Sequence, residues 1–236
     1  MPFSAEKPPR IVVFDLDDTL IAGDSTQMWL TYLYDEGVVT DPRYREVNDR
    51  MIADYAKGTL DIFEYERNVM PAVSHLAPEE VDALVRRFAE TKIRPLVYRE
   101  GIERIDRAKA LGIPVQIISA TCTFIVRPIA EILGVENVIG VDMKTDAEGR
   151  LTGEIDGVPS FREGKVVRMK AVLERLGIAP EDMLFFTDSR NDLPLARFAG
   201  AAEVVSPDPV LRKEAEEKSW PIHAWHKVTN PETLDR

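Results

Sequence analysis

Four apolar residues in succession, Ile11-Val12-Val13-Phe14, give way at once to Asp15-Leu16-Asp17-Asp18-Thr19, so the hydrophobic run stops where carboxylates begin. An unalternating Ile/Val/Phe run predicts a strand buried on both faces. The period then changes: segments from about Thr26 to Glu36, Tyr44 to Gly58, Ile62 to His75 and Pro78 to Lys92 carry apolar residues at helical spacing. Gly37, Pro42, Gly58 and Pro78 divide them, and Pro95 closes the series. From Gly101 helix and strand alternate. Helices are predicted near Ile102 to Leu111, Phe124 to Leu133, Lys165 to Leu176 and Leu193 to Ala199. Strands are predicted at Val115 to Ile118, Val138 to Met143 and Met183 to Phe186, with a hairpin around Arg150 to Ile155. This order predicts an α/β fold, a doubly wound parallel sheet interrupted after its first strand by a helical insert.

Composition narrows the function classes. With 236 residues and 44% apolar content the chain is long enough for a full core plus an insert. A net charge of −11 and a pI near 4.9 argue against nucleic acid or an anionic membrane as partner. No apolar run approaches a membrane span, and Met1 to Arg10 lacks the apolar core of a secretory signal, so a cytoplasmic location is expected. Cys122 stands alone, which excludes an intrachain disulfide and a cysteine metal site. His75, His223 and His226 are scattered without ligand spacing.

The acids after the first strand are the leading candidate chemistry. Ligands of open α/β sheets gather at the carboxyl ends of the strands, and Asp15 and Asp17, two residues apart, suit a hard cation plus a nucleophile or proton carrier. The same run also serves as an ordinary turn or helix cap. Three further places repeat the ambiguity. Asp188-Ser189-Arg190-Asn191-Asp192 follows a second apolar strand, Ser119-Ala120-Thr121 ends a third, and Lys165 opens a helix after Gly164. Each alone reads equally as capping or as solvated surface.

Their order, DxDxT, then Ser, then Lys, then DxxxD, resembles the haloacid dehalogenase superfamily of phosphatases over nearly the whole chain. Asp15 to Ser25 with Trp29, Gly149 to Gly153, Phe161 to Lys165, Asp188 to Leu195 and Trp220-Pro221 are similar to the phosphoserine phosphatase-like subfamily, and most of all to its histidinol-phosphatase-like members. The resemblance implies a catalytic core of residues 1–24 and 98–236 with a helical cap of residues 25–97. It implies Asp15 as nucleophile, Asp17 as acid and base, and Mg²⁺ held by Asp15, the Asp17 carbonyl and Asp188. Ser119, Lys165 and the Asp18 backbone N–H would bind the phosphoryl group, with Asp192 and Thr19 in support.

Within the cap, Asp24 stands where the resemblance places an acid for a substrate amine, and Arg67 is the candidate for a substrate carboxylate, offset by about two residues from the family's arginine. The expectation is therefore an Mg²⁺-dependent phosphomonoesterase acting on a small-molecule phosphate monoester, histidinol phosphate first and phosphoserine second. A non-catalytic phosphate-binding protein on the same fold and a receiver-type signalling domain are the rival classes. Oligomeric state is not legible in the sequence. Trp220 and Trp225 are expected to pack on the core, and Thr229 to Arg236 to fray.

Overall fold

The computed structural model describes residues 8–234. Six parallel strands form one sheet in the order β3-β2-β1-β6-β7-β8. They are β1 (Ile11–Phe14), β2 (Val115–Cys122), β3 (Asn137–Val141), β6 (Met183–Thr187), β7 (Ala201–Val205) and β8 (Ile222–His223). The predicted α/β architecture is thus present, and a hairpin of β4 (Met143–Thr145) and β5 (Leu151–Ile155) stands apart from the sheet. What reads as one strand from Val138 to Met143 is therefore two, divided between sheet and hairpin.

The central strands explain why the apolar runs do not alternate. Val12 and Phe14 pack into the core on one face of the sheet, while Ile11 and Val13 pack into the core on the other. β6 repeats the division, and Phe14 stacks on Phe186 with ring centroids 4.7 Å apart. Helices α5 (Arg99–Ala110), α6 (Thr123–Ile132), α7 (Glu163–Leu176), α8 (Leu193–Phe198) and α9 (Pro209–Lys218) make the connections within this part of the chain. After β1 the chain fills one side of the sheet with β2 and β3, then crosses to β6 on the other. The crevice beside β1 is consequently the switch point at which α/β sheets take ligands.

Between β1 and α5 lie α1 (Ser25–Asp35), α2 (Arg43–Lys57), α3 (Ile62–Val69) and α4 (Pro78–Phe88). Helix α3 ends earlier than its apolar spacing predicts, because Pro71 turns the chain into a tight 3₁₀ segment, Met70–Ala72. The passages into and out of these helices run side by side. Ala22 N–H donates to Leu96 O at 2.9 Å, Tyr98 N–H donates to Leu20 O at 2.9 Å, and Ile21 bridges Val97. Gly23, with φ of 124°, makes the turn from this neck into α1, a backbone geometry that disfavours any side chain.

The carboxyl-terminal segment packs more fully than expected. Trp225 is buried against Phe186 and Tyr98, and Leu234 is 3% exposed within the main core. Residues 235–236, the end of the segment expected to fray, lie outside the described residues. The same is true of residues 1–7, most of the stretch read for a secretory signal. Among the described residues no helix is long and apolar enough to cross a membrane.

Candidate active site

Asp15 is the first residue past β1, and its N–H donates to Phe186 O of β6 at 2.9 Å, which holds it at the end of the sheet. Lys165 reaches it from the first turn of α7. The Nζ donates to Asp15 Oδ1 at 2.8 Å and to the Asp192 carboxylate at 2.7 Å, and Lys165 is 2% exposed. The loop before α7 makes this possible: a Cβ on Gly164 would lie 1.9 Å from Pro159 O, so only glycine fits beside Lys165. Thr187 donates to Asp192 at 2.8 Å and completes the buried chain Asp15, Lys165, Asp192, Thr187.

Electrostatics follow from that burial. Desolvation pushes the Asp15 carboxyl up to about 7, against the pull of the Lys165 charge and with help from Asp192 and Asp17. Burial alone would depress Lys165, but the charges of Asp15 and Asp192 outweigh it and hold the ammonium above its ordinary range. Asp15 therefore loses its proton before Lys165 does, and a carboxylate faces an ammonium.

Asp17 sits in a separate set of donors. Its Oδ1 accepts the Ser25 N–H at 2.6 Å, and its Oδ2 accepts Thr121 Oγ1 at 2.8 Å and Ser119 Oγ at 3.2 Å. Ser119 is fixed in turn, since its carbonyl accepts Ser160 Oγ at 2.6 Å and its Oγ accepts the Thr121 N–H at 3.0 Å. Thr19 Oγ1 donates to Asp188 Oδ1 at 3.3 Å. Asp18 closes the turn: with φ of 49° it donates its N–H to Gly23 O at 3.2 Å and accepts the Gly23 N–H on Oδ1 at 2.8 Å.

Five carboxyl groups, Asp15, Asp17, Asp18, Asp188 and Asp192, thus lie at the strand ends, and two of them, Asp15 and Asp192, pair with the Lys165 ammonium. Burial and then the charges of Asp15 and Asp18 raise Asp188 well above the usual carboxylate range. Among the described residues no three His, Cys, Asp or Glu side chains form a metal cluster by themselves. Asp15 and Asp188 still offer two hard carboxylates in a locally negative, water-poor setting, and a donor set of that kind fits a divalent cation completed by backbone and ligand oxygens.

Above the strand ends the helical segment walls a narrow cleft. Asp24, Thr26 and Gln27 come from the start of α1, while Asn48, Met51, Ile52 and Tyr55 come from one face of α2. Leu60, Ile62 and Tyr65 close it, and none of its lining residues is Lys, Arg or His. Asp24 caps α1, accepting from Gln27 N–H at 3.0 Å and from Gln27 Nε2 at 3.0 Å. Burial, reinforced by the charge of Asp17, pushes Asp24 up to about 7. At the rim Arg162 donates to Gly58 O of the helical segment and to Asn191 Oδ1 at 3.3 Å, joining the two walls.

The sequence candidates therefore divide. Asp15, Asp17, Asp18, Thr19, Ser119, Lys165, Asp188 and Asp192 come together at the strand ends, with Asp24 beside them. Arg67 does not join them. The buried face of α3 is Ile62, Tyr65, Glu66 and Val69, so Arg67 falls on the exposed face, away from the cleft. Trp29 and Met70 belong to the core and not to the cleft wall. Thr121 and Thr187, which hold two of the acids, were not singled out for those roles, although Thr121 lies two residues past Ser119 and so on the same side of β2.

Comparison with known proteins finds relatives along most of the chain. Residues 12–197 match the family model of the haloacid dehalogenase-like hydrolases. A Neisseria meningitidis serogroup C protein named histidinol-phosphatase is 34% identical over 216 residues, 90% of this chain and 97% of that protein. A Bordetella pertussis Tohama I structure of unknown function superposes with a TM-score of 0.83 at 33% identity, covering 92% of this chain and 98% of the other. A substrate-bound phosphoserine phosphatase complex superposes with a TM-score of 0.66 at 21% identity over 88% of this chain and 90% of that one, a likeness of fold.

Proposed function

The chain belongs to the haloacid dehalogenase-like hydrolase family and is a phosphoric monoester hydrolase, and from that premise we propose that it hydrolyses histidinol phosphate with Mg²⁺ through a phosphorylated Asp15. In this reading residues 25–97 form a cap over a catalytic core of residues 1–24 and 98–236. Asp15 attacks phosphorus, the bond to the leaving oxygen breaks, and Asp17 gives that oxygen a proton. Asp17 then takes a proton from the water that hydrolyses the acyl phosphate, which returns Asp15 as a carboxylate.

Lys165 keeps Asp15 aimed and balances the negative charge of the phosphoryl oxygens, and Ser119 donates to one of them. Asp192 and Thr187 hold Lys165 in place. The carboxylates of Asp15 and Asp188, with the Asp17 carbonyl, would hold the cation. When bound, Mg²⁺ supplies positive charge to the phosphoryl oxygens. The Asp18 N–H donates to Gly23 O, so its support of the phosphoryl group in this reading requires that turn to open.

The observation that carries the substrate is the charge of the cleft. It holds Asp24, raised to about 7, and no cationic lining residue, so it suits a leaving group that brings an ammonium and no carboxylate. Histidinol phosphate has that form, whereas phosphoserine brings a carboxylate for which Arg67 is misplaced. The test is phosphate release from histidinol phosphate, phosphoserine and an aryl phosphate, first with chelator and then with Mg²⁺ restored. Mg²⁺-dependent preference for histidinol phosphate is expected. Preference for phosphoserine would overturn the substrate, and full turnover under chelation would overturn the cation.

A further inference from the structure

The face of α2 that walls the cleft carries Asn48, Met51, Ile52 and Tyr55, the i, i+3, i+4, i+7 spacing of a single helical stripe. Three of these are apolar or aromatic, and Asn48 is the exception. Its Oδ1 is buried and has no hydrogen-bond partner among the described residues. An amide oxygen withdrawn from water and left unpaired is costly, and a ligand that brings an N–H to it recovers the loss on binding. None of the steps assigned to Asp15, Asp17, Lys165 or Ser119 uses this group.

Two acceptors of the upper cleft, Asp24 and Asn48, differ in kind. Asp24 is a carboxyl whose charge suits an ammonium. Asn48 is a neutral amide whose dipole suits a single N–H, set one turn of α2 from Met51 and Ile52 and two turns from Tyr55, surroundings that favour a flat, weakly polar group. We propose that Asn48 is a specificity-determining residue that accepts the ring N–H of a heterocyclic leaving group, while the same leaving group's ammonium pairs with Asp24. The inference rests on the amine reading of the cleft and deepens it: the substrate class is an amino alcohol phosphate that also carries an N–H heterocycle.

The experiment compares histidinol phosphate with 2-aminoethyl phosphate, which keeps the ammonium and lacks the ring, in the wild type and in Asn48→Leu, Asn48→Ala and Asn48→Asp. In Asn48→Leu and Asn48→Ala the KM for histidinol phosphate should rise about tenfold more than that for 2-aminoethyl phosphate, the scale of one lost hydrogen bond, with the change in KM and not in kcat. Asn48→Asp keeps an acceptor and should retain the preference for the ring. Equal losses on both esters in Asn48→Leu and Asn48→Ala would mean that Asn48 only supports the wall, and would overturn the inference, as would no change on either. The wild-type ratio of histidinol phosphate to phosphoserine separately reports on the substrate reading. A wild type that prefers phosphoserine while Asn48→Leu still loses selectively on the ring-bearing ester would sink that reading and leave the role of Asn48 standing.

Discussion

The strand ends and the helices above them treat buried charge in opposite ways. At the strand ends the acids are bound into chains: Asp15 to Lys165 to Asp192 to Thr187, and Asp17 to Ser119, Thr121 and Ser25. In the helical segment the buried acid Glu66 is 2% exposed, has no basic partner among the described residues, and has the Cys122 thiol as its neighbour. A ring of satisfied donors fixes the position of a reacting atom to a fraction of an ångström. A wall that sets Asp24, Thr26, Gln27 and Asn48 among apolar and aromatic side chains fixes what can lie against it. In the function proposed above, the contrast separates chemistry from selection: the floor serves the reaction, and the roof the shape of the leaving group.

The contrast can be broken most directly at its centre. Asp15→Asn should lower phosphate release on the order of 10⁴-fold or more while leaving the fold intact, since it removes the attacking oxygen from a site that otherwise still binds; stopped-time phosphate assays with circular dichroism as control would measure this. Activity near that of the wild type would remove the floor's claim to the chemistry.

Lys165→Met comes next. It leaves Asp15 and Asp192 buried without their ammonium, so urea unfolding should show a loss of about 3–5 kcal/mol, and turnover should fall by about 10²- to 10³-fold. If stability were unchanged, the floor's chain of bonds would not be what holds it.

The roof predicts the reverse sign. Burial raises Glu66 from 4.5 to about 7, so the folded state favours its protonated form. The corresponding contribution to stability is complete below pH 4.5 and is lost as pH rises through about 7. Glu66→Gln, permanently neutral, should match the wild type near pH 4.5 and exceed it at pH 8 by up to about 3 kcal/mol. Unfolding curves at the two pH values would sharpen the comparison, and a variant less stable at pH 8 would show that Glu66 is paired after all.

The parts of the floor are local in sequence, but each alone also reads as a cap or as solvated surface, and it was their order along the chain that made the floor legible. A buried strand that ends in acids announces itself within a few residues, as at Phe14-Asp15 and again at Thr187-Asp188, and Gly164-Lys165 marks a helix start packed too tightly for any other residue than glycine. The hydroxyls that orient those acids were less legible. Threonine is common at strand ends, and only the parallel register of β1 with β2 and β6 brings Thr121 and Thr187 to the acids they serve.

The roof was hardest to read, since its wall draws on three helices whose mutual angles no periodicity encodes. Arg67 shows the sensitivity: α3 buries Glu66, and a shift of one residue places the arginine outside. Strand β7 and helix α9 lie between the Asp188 to Leu195 motif and Trp220-Pro221, a stretch for which the apolar pattern predicts no element. β8, two residues long, carries no pattern at all.

The paired neck has a meaning at the level of heredity. The whole roof is encoded by one uninterrupted run of codons, and the residues at its two ends, Ala22 and Leu96, are hydrogen-bonded to each other. An exchange of that stretch with crossovers at both neck points would keep the backbone hydrogen bonds of the crossing, but the incoming segment would have to supply again the N–H that Ser25 gives to Asp17. In the proposed reading, selectivity and chemistry therefore lie on separate stretches of sequence that meet at one hydrogen bond.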